Sequence, residues 1–449
     1  MGKRRLTFKE KATYALGDLA GNLTWQLVKL LLIYFYTDIY GISPKEAGLI
    51  YLVSRIWDAV NDPIMGYIAD HTHTRWGRFR PYMLFGAIPL AISTILTFST
   101  PVLDESWKFA YALVTFLMLS TLYTLVTLPY STLAAVITDD ADERSSIAGF
   151  RMIFAILGLS VVSVATGPLV RLFEDEATGY QVVVTGYSIL ATVLFWISFG
   201  SVKEQILPTQ KESYTIKQVP SLIFKNRPLL LLAGAVFFTG MAGAMKMGAG
   251  MYFCKYFLRD QGLFSYFMLA VITGAAVGVV MSTNLTRRFS KKSLFLFGIT
   301  IECVADMGLF GFSSTSIKAL PEIFSMLFIS SIGGGIGIQL MWAMAPDLVD
   351  YGEWKTGKRA DGMTYAALSF VQKLDTGIGG AMIGFILGYA GYIEPLDGIL
   401  QEQTKGTLLG ILFMVSLAPV IAGIIALSFV AFYDTSREQA KTQKVEALT

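Results

Sequence analysis

The run Arg55-Ile-Trp57-Asp58-Ala-Val-Asn61-Asp62-Pro63-Ile-Met-Gly66 decides how this chain is read. It lies in a stretch near 46–70 that is long enough to cross a bilayer, yet Arg55, Asp58 and Asp62 are all ionisable. Each such residue inside a membrane costs at least about 2.5 kcal/mol on insertion scales, so each needs a function or a partner. Asp58 and Asp62 stand four apart and share a helix face, with Arg55 three before Asp58 on the same face. Two inward carboxylates can supply oxygen ligands to a small cation or share a proton. The alternative is an ion-pair cluster that only locks helices together. One Arg, however, cannot neutralise two carboxylates in a low-dielectric site.

The rest of the chain has the composition that such a helix requires. Of 449 residues, 54% are apolar and 15% are charged, against about 25% charged in a soluble domain. A spanning helix uses about 20 mostly apolar residues, so this supply suits about a dozen. Disorder, a disulfide-stapled secreted domain and a nucleic-acid binder are excluded. The net charge of +3 gives no basic field to attract an acidic partner. The expected class is an all-α membrane protein.

Spans are predicted near 12–39, 46–70, 82–101, 108–136, 147–173 and 180–200, then near 228–257, 264–286, 292–313, 320–346, 361–390 and 407–433. The polar stretch 201–227 separates the sets, giving a bundle over 1–200, a cytoplasmic linker, and a bundle with a tail over 228–449. No short apolar core with a small-residue cleavage site follows Met1-Gly-Lys-Arg-Arg5, so no removable leader is expected. Cations gather in the even-numbered loops and both tails, including Arg75, Arg78, Arg80, Arg287, Arg288, Lys291, Lys292, Lys358 and Arg359. The positive-inside rule therefore predicts both termini in the cytoplasm.

The halves echo each other. Asp70 to Pro81 after the second span matches Asn284 to Lys292 after the eighth, and acids at 139–143 match Asp347, Asp350 and Glu353. Repeated halves are what alternating-access transporters are built from, with substrate held near the midplane.

Other polar residues fall inside spans. Asp18, Asn22, Trp25, Gln26 and Lys29 form one stripe at helical spacing along the first. Tyr123, Thr124 and Thr127 lie in the fourth, and Arg151 opens the fifth. Lys246 lies in the seventh, Gln339 and Trp342 in the tenth, and Gln372, Lys373 and Asp375 in the eleventh. Lys29 and Lys246 are expected in a polar cavity, whereas Glu302 and Asp306 of the ninth are expected to face a neighbouring helix. His71 and His73 lack a ligand pattern, Cys254 and Cys303 make no cluster, and no nucleotide-binding or hydrolase motif occurs. Energy must then come from a gradient, with no cofactor.

The strings 55–66 and Thr74-Arg-Trp-Gly-Arg-Phe-Arg-Pro81 resemble the glycoside–pentoside–hexuronide:cation symporter family of the major facilitator superfamily. Phe35-Tyr-Thr-Asp38, Leu128-Pro-Tyr130, Asp347 to Glu353, Arg359-Ala-Asp-Gly362 and Gln372-Lys373 extend the resemblance over essentially the whole chain. It implies twelve transmembrane helices in two pseudo-symmetric six-helix bundles, the bacterial inner membrane, and uptake of a sugar with Na+ or H+ by a chain acting as a monomer in lipid. Carried over, the cation site falls on Asp58, Asp62, Thr124 and Thr127. Asp58 and Asp62 would be the metal ligands if the ion is Na+. The sugar site falls on Asn22, Lys29, Tyr123, Arg151 and Lys373 with Trp342 nearby, and the polar stripes add Asp18, Trp25, Gln26, Lys246 and Gln372. Arg75, Arg78 and Arg80 are expected to gate, pairing with acids of loops four–five and ten–eleven.

The departures from the family pattern bear on substrate. Melibiose-type members have Asp at the positions of Asn22 and Thr127, Trp at that of Ser131, and an aromatic at that of Lys29. An ammonium in place of carboxylates suggests an anionic sugar: a hexuronide, a glucuronide or a sulfonated sugar. Lys29, Arg151, Lys246 and Lys373 would supply the positive charge. A neutral pentoside or galactoside is the main rival, lysolipid transport is a third reading, and an enzyme, channel or receptor is a remote fourth.

Overall fold

A computed structural model describes residues 6–138, 141–201, 204, 223–286, 288–315, 319–357, 361–394 and 401–433. The linker expected over 201–227 falls mostly outside these residues, as do the C-terminal tail, Asp139, Asp140, Arg287, Lys358 and Arg359.

The first unit contains α1 (Phe8–Tyr34), α2 (Pro44–His71), α3 (Arg80–Thr97) and α4 (Glu105–Val136). α5 (Ala141–Ser160) runs through a π turn (Val161–Ala165) into Thr166–Val170, and α6 (Glu176–Ser201) follows. Then come α7 (Arg227–Tyr252), α8 (Leu263–Leu285), α9 (Lys291–Thr315), α10 (Leu320–Thr356) and α11 (Asp361–Tyr389). α12 comprises Lys405–Val415 and Leu417–Ala431, parted at Ser416. The starts of α1 and α2 are written locally: Thr7 with Glu10, and Ser43 with Glu46, form capping boxes in which hydroxyl and carboxylate satisfy opposite backbone N–H groups.

Among the described residues, nine helices are long and apolar enough to cross a membrane by length and composition alone. The three spans outside that group are α1, α2 and α11. They hold Asp18 and Lys29; Arg55, Asp58 and Asp62; and Lys373 and Asp375. The polar side chains that lower their hydropathy are the candidate functional groups.

The chain divides into residues 1–209 with 383–404, and residues 210–382 with 405–449. Within the first unit α1 packs on α6, α2 and α3 on α4, and α3 on α6. Within the second, α7 packs on α12, α8 and α9 on α10, and α9 on α12, which is the same pattern shifted by six helices. The repeat extends to detail. α1 and α7 each end in a π turn, Phe35–Ile39 and Phe253–Phe257, and α4 and α10 each contain an internal proline, Pro129 and Pro346. The core of the second unit gathers Leu232, Ile299, Met344, Leu348 and Val430 around buried Ile336 and Leu340. The end of α11 clusters with the first unit, where the Tyr392 hydroxyl donates to Asp38 Oδ2 at 2.6 Å.

Candidate functional site

α2 and α4 meet in a register that pairs polar groups. Asp58 and Asp62 recur every four residues on α2, and so do Ser120 and Thr124 on α4. The Ser120 hydroxyl donates to Asp58 Oδ1, and the Thr124 hydroxyl donates to Asp62 Oδ1 at 3.1 Å. Interhelical hydrogen bonds in lipid average about 0.6 kcal/mol, so this ladder positions the carboxylates more than it stabilises the fold. Arg55 donates from NH1 to Asp58 Oδ2 at 2.8 Å, with its guanidinium over Trp25 (4.8 Å) and Tyr51 (5.2 Å). Its Nε and NH2 are buried with no hydrogen-bond partner. The Thr127 hydroxyl donates to the Tyr123 carbonyl at 2.8 Å, one turn back on its own helix. The expected cation set is thus drawn together at Asp58, Asp62 and Thr124, with Ser120 added and Thr127 one turn along. Carboxylate and hydroxyl oxygens suit a hard monovalent cation or a proton. Among the described residues, no group of three or more His, Cys, Asp or Glu could hold a metal ion.

The α1 stripe leads from this ladder to α5. Asn22 Nδ2 donates to the Asp18 carbonyl and Gln26 Nε2 to Asn22 Oδ1, both at 2.8 Å, so the amides brace one another along the helix. Trp25 stacks on Tyr123 of α4 with centroids 4.5 Å apart and planes at 19°. Arg151 of α5 grips Asp18 with two bonds, Nε to Oδ2 at 2.7 Å and NH2 to Oδ1 at 3.1 Å, and NH2 also donates to Ser131 Oγ at 3.2 Å. The Tyr130 hydroxyl adds a bond to Asp18 Oδ2 at 2.6 Å, and the Tyr14 hydroxyl donates to the Tyr130 carbonyl at 2.6 Å. α5 comes this near because Gly158 faces α1. A Cβ there would stand 2.6 Å from Asn22 Cβ.

The Arg151–Asp18 pair is partly open, with side-chain exposures of 22% and 16%. Lys29 is half-buried on the same helix. The structural alternative for Lys29 is permanent pairing with Asp18 or with a carboxylate of α11; Asp18 is gripped by Arg151 and Tyr130, and Lys29 is not without a partner. An aromatic face flanked by amides, a guanidinium and a carboxylate is the chemistry that orients a polar ring ligand.

In the second unit Lys246 is buried, 6% exposed, donating to Asp306 of α9 and, at 2.7 Å, to Ser330 Oγ of α10. α7 brings Lys246 to that seam, α10 brings Ser330, and α9 brings Asp306 with Glu302 one turn before it. Glu302 and Asp306 face neighbouring helices, as the sequence suggested. Trp342 stacks at 6.1 Å on Tyr365, Gln372 is half-buried and Lys373 exposed. Gln339 accepts from Ser282 at 3.3 Å.

The loop before α3 binds an acidic side chain through its backbone. Backbone N–H groups of Arg78 (2.9 Å), Phe79 (2.8 Å) and Arg80 (3.2 Å) all donate to the Glu204 carboxylate. The N-terminus of α3 thereby captures an anion, as helix N-termini do. Gly77 is required for this clamp, since its φ is +110° and a Cβ would stand 2.7 Å from Glu204 Cδ. The Arg80 guanidinium donates to the Phe199 carbonyl at 2.7 Å and 3.2 Å, and Arg75 lies over Trp76 at 4.0 Å. Of the acids expected as partners, Glu143 pairs with Lys11 at 2.9 Å and Asp347 with Lys291 at 2.8 Å, while none of Arg78, Asp350 and Glu353 is without a partner. Asp142 has no described side chain. Glu204→Ala is expected to slow sugar exchange while leaving apparent affinity within a few-fold. A large affinity loss at normal turnover in initial-rate assays would contradict a positioning role.

Sequence reading missed Ser120, Tyr130, Ser330 and Glu204. Only Ser120 had a signal, its four-residue spacing from Thr124.

Comparison with known proteins agrees with this architecture. The model of a family described as MFS/sugar transport protein matches residues 13–437. An isoprimeverose transporter of Lactiplantibacillus pentosus is 34% identical, over 87% of this chain and 82% of that protein. The inner membrane symporter YicJ of Escherichia coli (strain K12) is 32% identical over 97% and 94%. A glucuronide carrier protein homolog of the same organism is 31% identical over 99% and 96%. The solved D-xylose-proton symporter shares the fold with a TM-score of 0.67 at 11% identity, over 96% of this chain and 99% of that one. The chain belongs to the MFS/sugar transport family, within the glycoside–pentoside–hexuronide:cation symporters of the major facilitator superfamily. It is a multi-pass transporter of the bacterial inner membrane, not an enzyme.

Proposed function

We propose that this chain is a sugar symporter driven by Na+ or H+, working by alternating access as a monomer with both termini in the cytoplasm. The observation that carries this reading is the adjacency of two chemistries in the first unit. A carboxylate–hydroxyl ladder, Asp58–Ser120 and Asp62–Thr124, adjoins an aromatic–polar face of Trp25, Tyr123, Asn22, Asp18 and Arg151. Arg55 connects them, bonding to Asp58 while lying over Trp25. Cation occupancy at the ladder can therefore alter the ring that faces the sugar, which is the differential interaction coupling requires.

The preferred sugar carries a carboxylate or sulfonate. Lys29 places an ammonium on the α1 stripe, and the relative named a glucuronide carrier homolog supports an acidic substrate. Arg151 and Lys246 do not count toward excess positive charge, each being paired inside its own unit, and neither Lys29 nor Lys373 is without a partner. That pairing, with the isoprimeverose transporter among the relatives, favours the second reading, a neutral glycoside. Counterflow in proteoliposomes separates them. A labelled glucuronide should exchange faster than its neutral parent glycoside, and the reverse order would assign the neutral substrate.

A further inference from the structure

The second unit holds an ionisable cluster in which Lys246 and Asp306 are buried and Glu302 is half-buried, apart from the residues proposed to bind sugar. Glu302 and Asp306 stand four apart on α9 and share a face. Asp306 has no exposed surface. Its Oδ1 accepts from Lys246 of α7, which also donates to Ser330 of α10. The other oxygen, Asp306 Oδ2, is buried with no hydrogen-bond partner. Glu302 packs where α10 has Gly333 and Gly334: a Cβ on Gly333 would stand 2.9 Å from Glu302 Cβ, and one on Gly334 would stand 3.9 Å from Oε1. Glu302 lies within electrostatic reach of both Asp306 and Lys246.

The charges around this seam do not balance. α7 contributes Lys246, and α10 contributes Ser330 and glycines at this level. The ionisable residues of α10 (Glu322, Asp347, Asp350, Glu353 and Lys355) lie eight or more positions from Ser330, at least about 12 Å along the axis. Leu417–Ala431 of α12, which packs on α9, contains no ionisable residue, and Cys303 of α9 turns its Sγ to the Val420 carbonyl at 3.8 Å. Two carboxylates therefore face one ammonium. A surplus carboxylate charge within a membrane span is costly enough that neutralisation by protonation is the ordinary outcome.

We propose that Glu302 and Asp306 bind one proton between them, forming a proton site in the second unit distinct from the α2 carboxylates. Uptake forms one O–H bond on a carboxylate and cancels one negative charge, and no other bond changes. The proton supplies the donor that Asp306 Oδ2 lacks. The pair titrates as a unit, so the proton is assigned to the pair and not to either residue. This inference stands whether or not the α2 ladder carries the coupling ion.

Infrared spectra of the full-length protein in nanodiscs, near neutral pH, count neutral carboxyl groups directly by their C=O stretch. The wild-type minus Glu302→Gln difference should contain one such band, because the variant retains a balanced Lys246–Asp306 pair and so holds no proton. Asp306→Asn should lose the same band, leaving Lys246 against Glu302. Lys246→Met should gain intensity equivalent to a second protonated carboxyl. Glu302→Gln keeps the ion pair and is the variant least exposed to a folding defect, so it alone suffices if the others misfold. A Glu302→Gln difference spectrum without a neutral-carboxyl band would show the cluster fully ionised and overturn the proposal.

Discussion

Proteoliposomes carrying Asp62→Asn should exchange labelled sugar at a measurable rate but no longer concentrate it when an ion gradient is imposed. Asp62 is a carboxylate held in place by the Thr124 hydroxyl at 3.1 Å. An amide keeps that bond and the side-chain volume while removing the charge that attracts a cation. Losing a charge-assisted contact of about 1.5–3 kcal/mol weakens ion binding roughly 10–100-fold. Sugar exchange does not require net ion movement and survives. Asp58→Asn is expected to behave differently. Arg55 pairs with Asp58 in a buried setting and already has two nitrogens without hydrogen-bond partners. Removing the carboxylate strands a buried guanidinium, at a cost of about 3–5 kcal/mol. Asp58→Asn should therefore lose thermal stability as well as coupling, whereas Asp62→Asn should lose coupling alone. Normal accumulation by both variants would place the ion elsewhere.

Lys29→Ala should weaken binding of an acidic sugar roughly 10–100-fold, the value of one charge-assisted hydrogen bond, and change affinity for its neutral analogue little. Asp18 is gripped by two bonds from Arg151 and one from Tyr130. Asp18 is thus held by other groups, and the alternative to a substrate role is a lasting pair between Lys29 and a carboxylate of α11. Competition of both sugars against a labelled substrate, in wild type and variant, separates a charge effect from a packing effect. Equal losses for the two sugars would mean that Lys29 supports the helix without meeting a substrate charge.

The fold was legible because hydrophobic runs, capping boxes and interspersed cations are local signals. α10 shows the limit of such signals. The sequence suggests a span over 320–346, but the helix runs on to Thr356, past Pro346, because the polar residues after it can continue as a helix beyond the apolar stretch. The π turns closing α1 and α7 have no signature in residue type, since they depend on how Tyr40 and Leu258 N–H groups reach back to Phe35 and Phe253 carbonyls.

The site was half legible. Four-residue spacing placed Asp58 and Asp62 on one face, and the same spacing on α4 contained their hydroxyl partners. The partners of Lys246 were not legible because they lie 60 and 84 residues away in the chain, and no periodicity reports a contact at that separation. The clamp before α3 was not legible for a related reason: Glu204 lies 124–126 residues from the backbone N–H groups that bind it.

Ion movement driven by sugar alone is the most direct measurement. Vesicles containing the wild-type chain, with Na+ and pH equal on both sides, receive a downhill pulse of a glucuronide while internal Na+ and pH are followed. The sugar should carry one of the two ions inward against no gradient, and Asp62→Asn vesicles should admit sugar with neither ion moving. Sugar entry through the wild-type chain without movement of Na+ or H+ would contradict coupled transport.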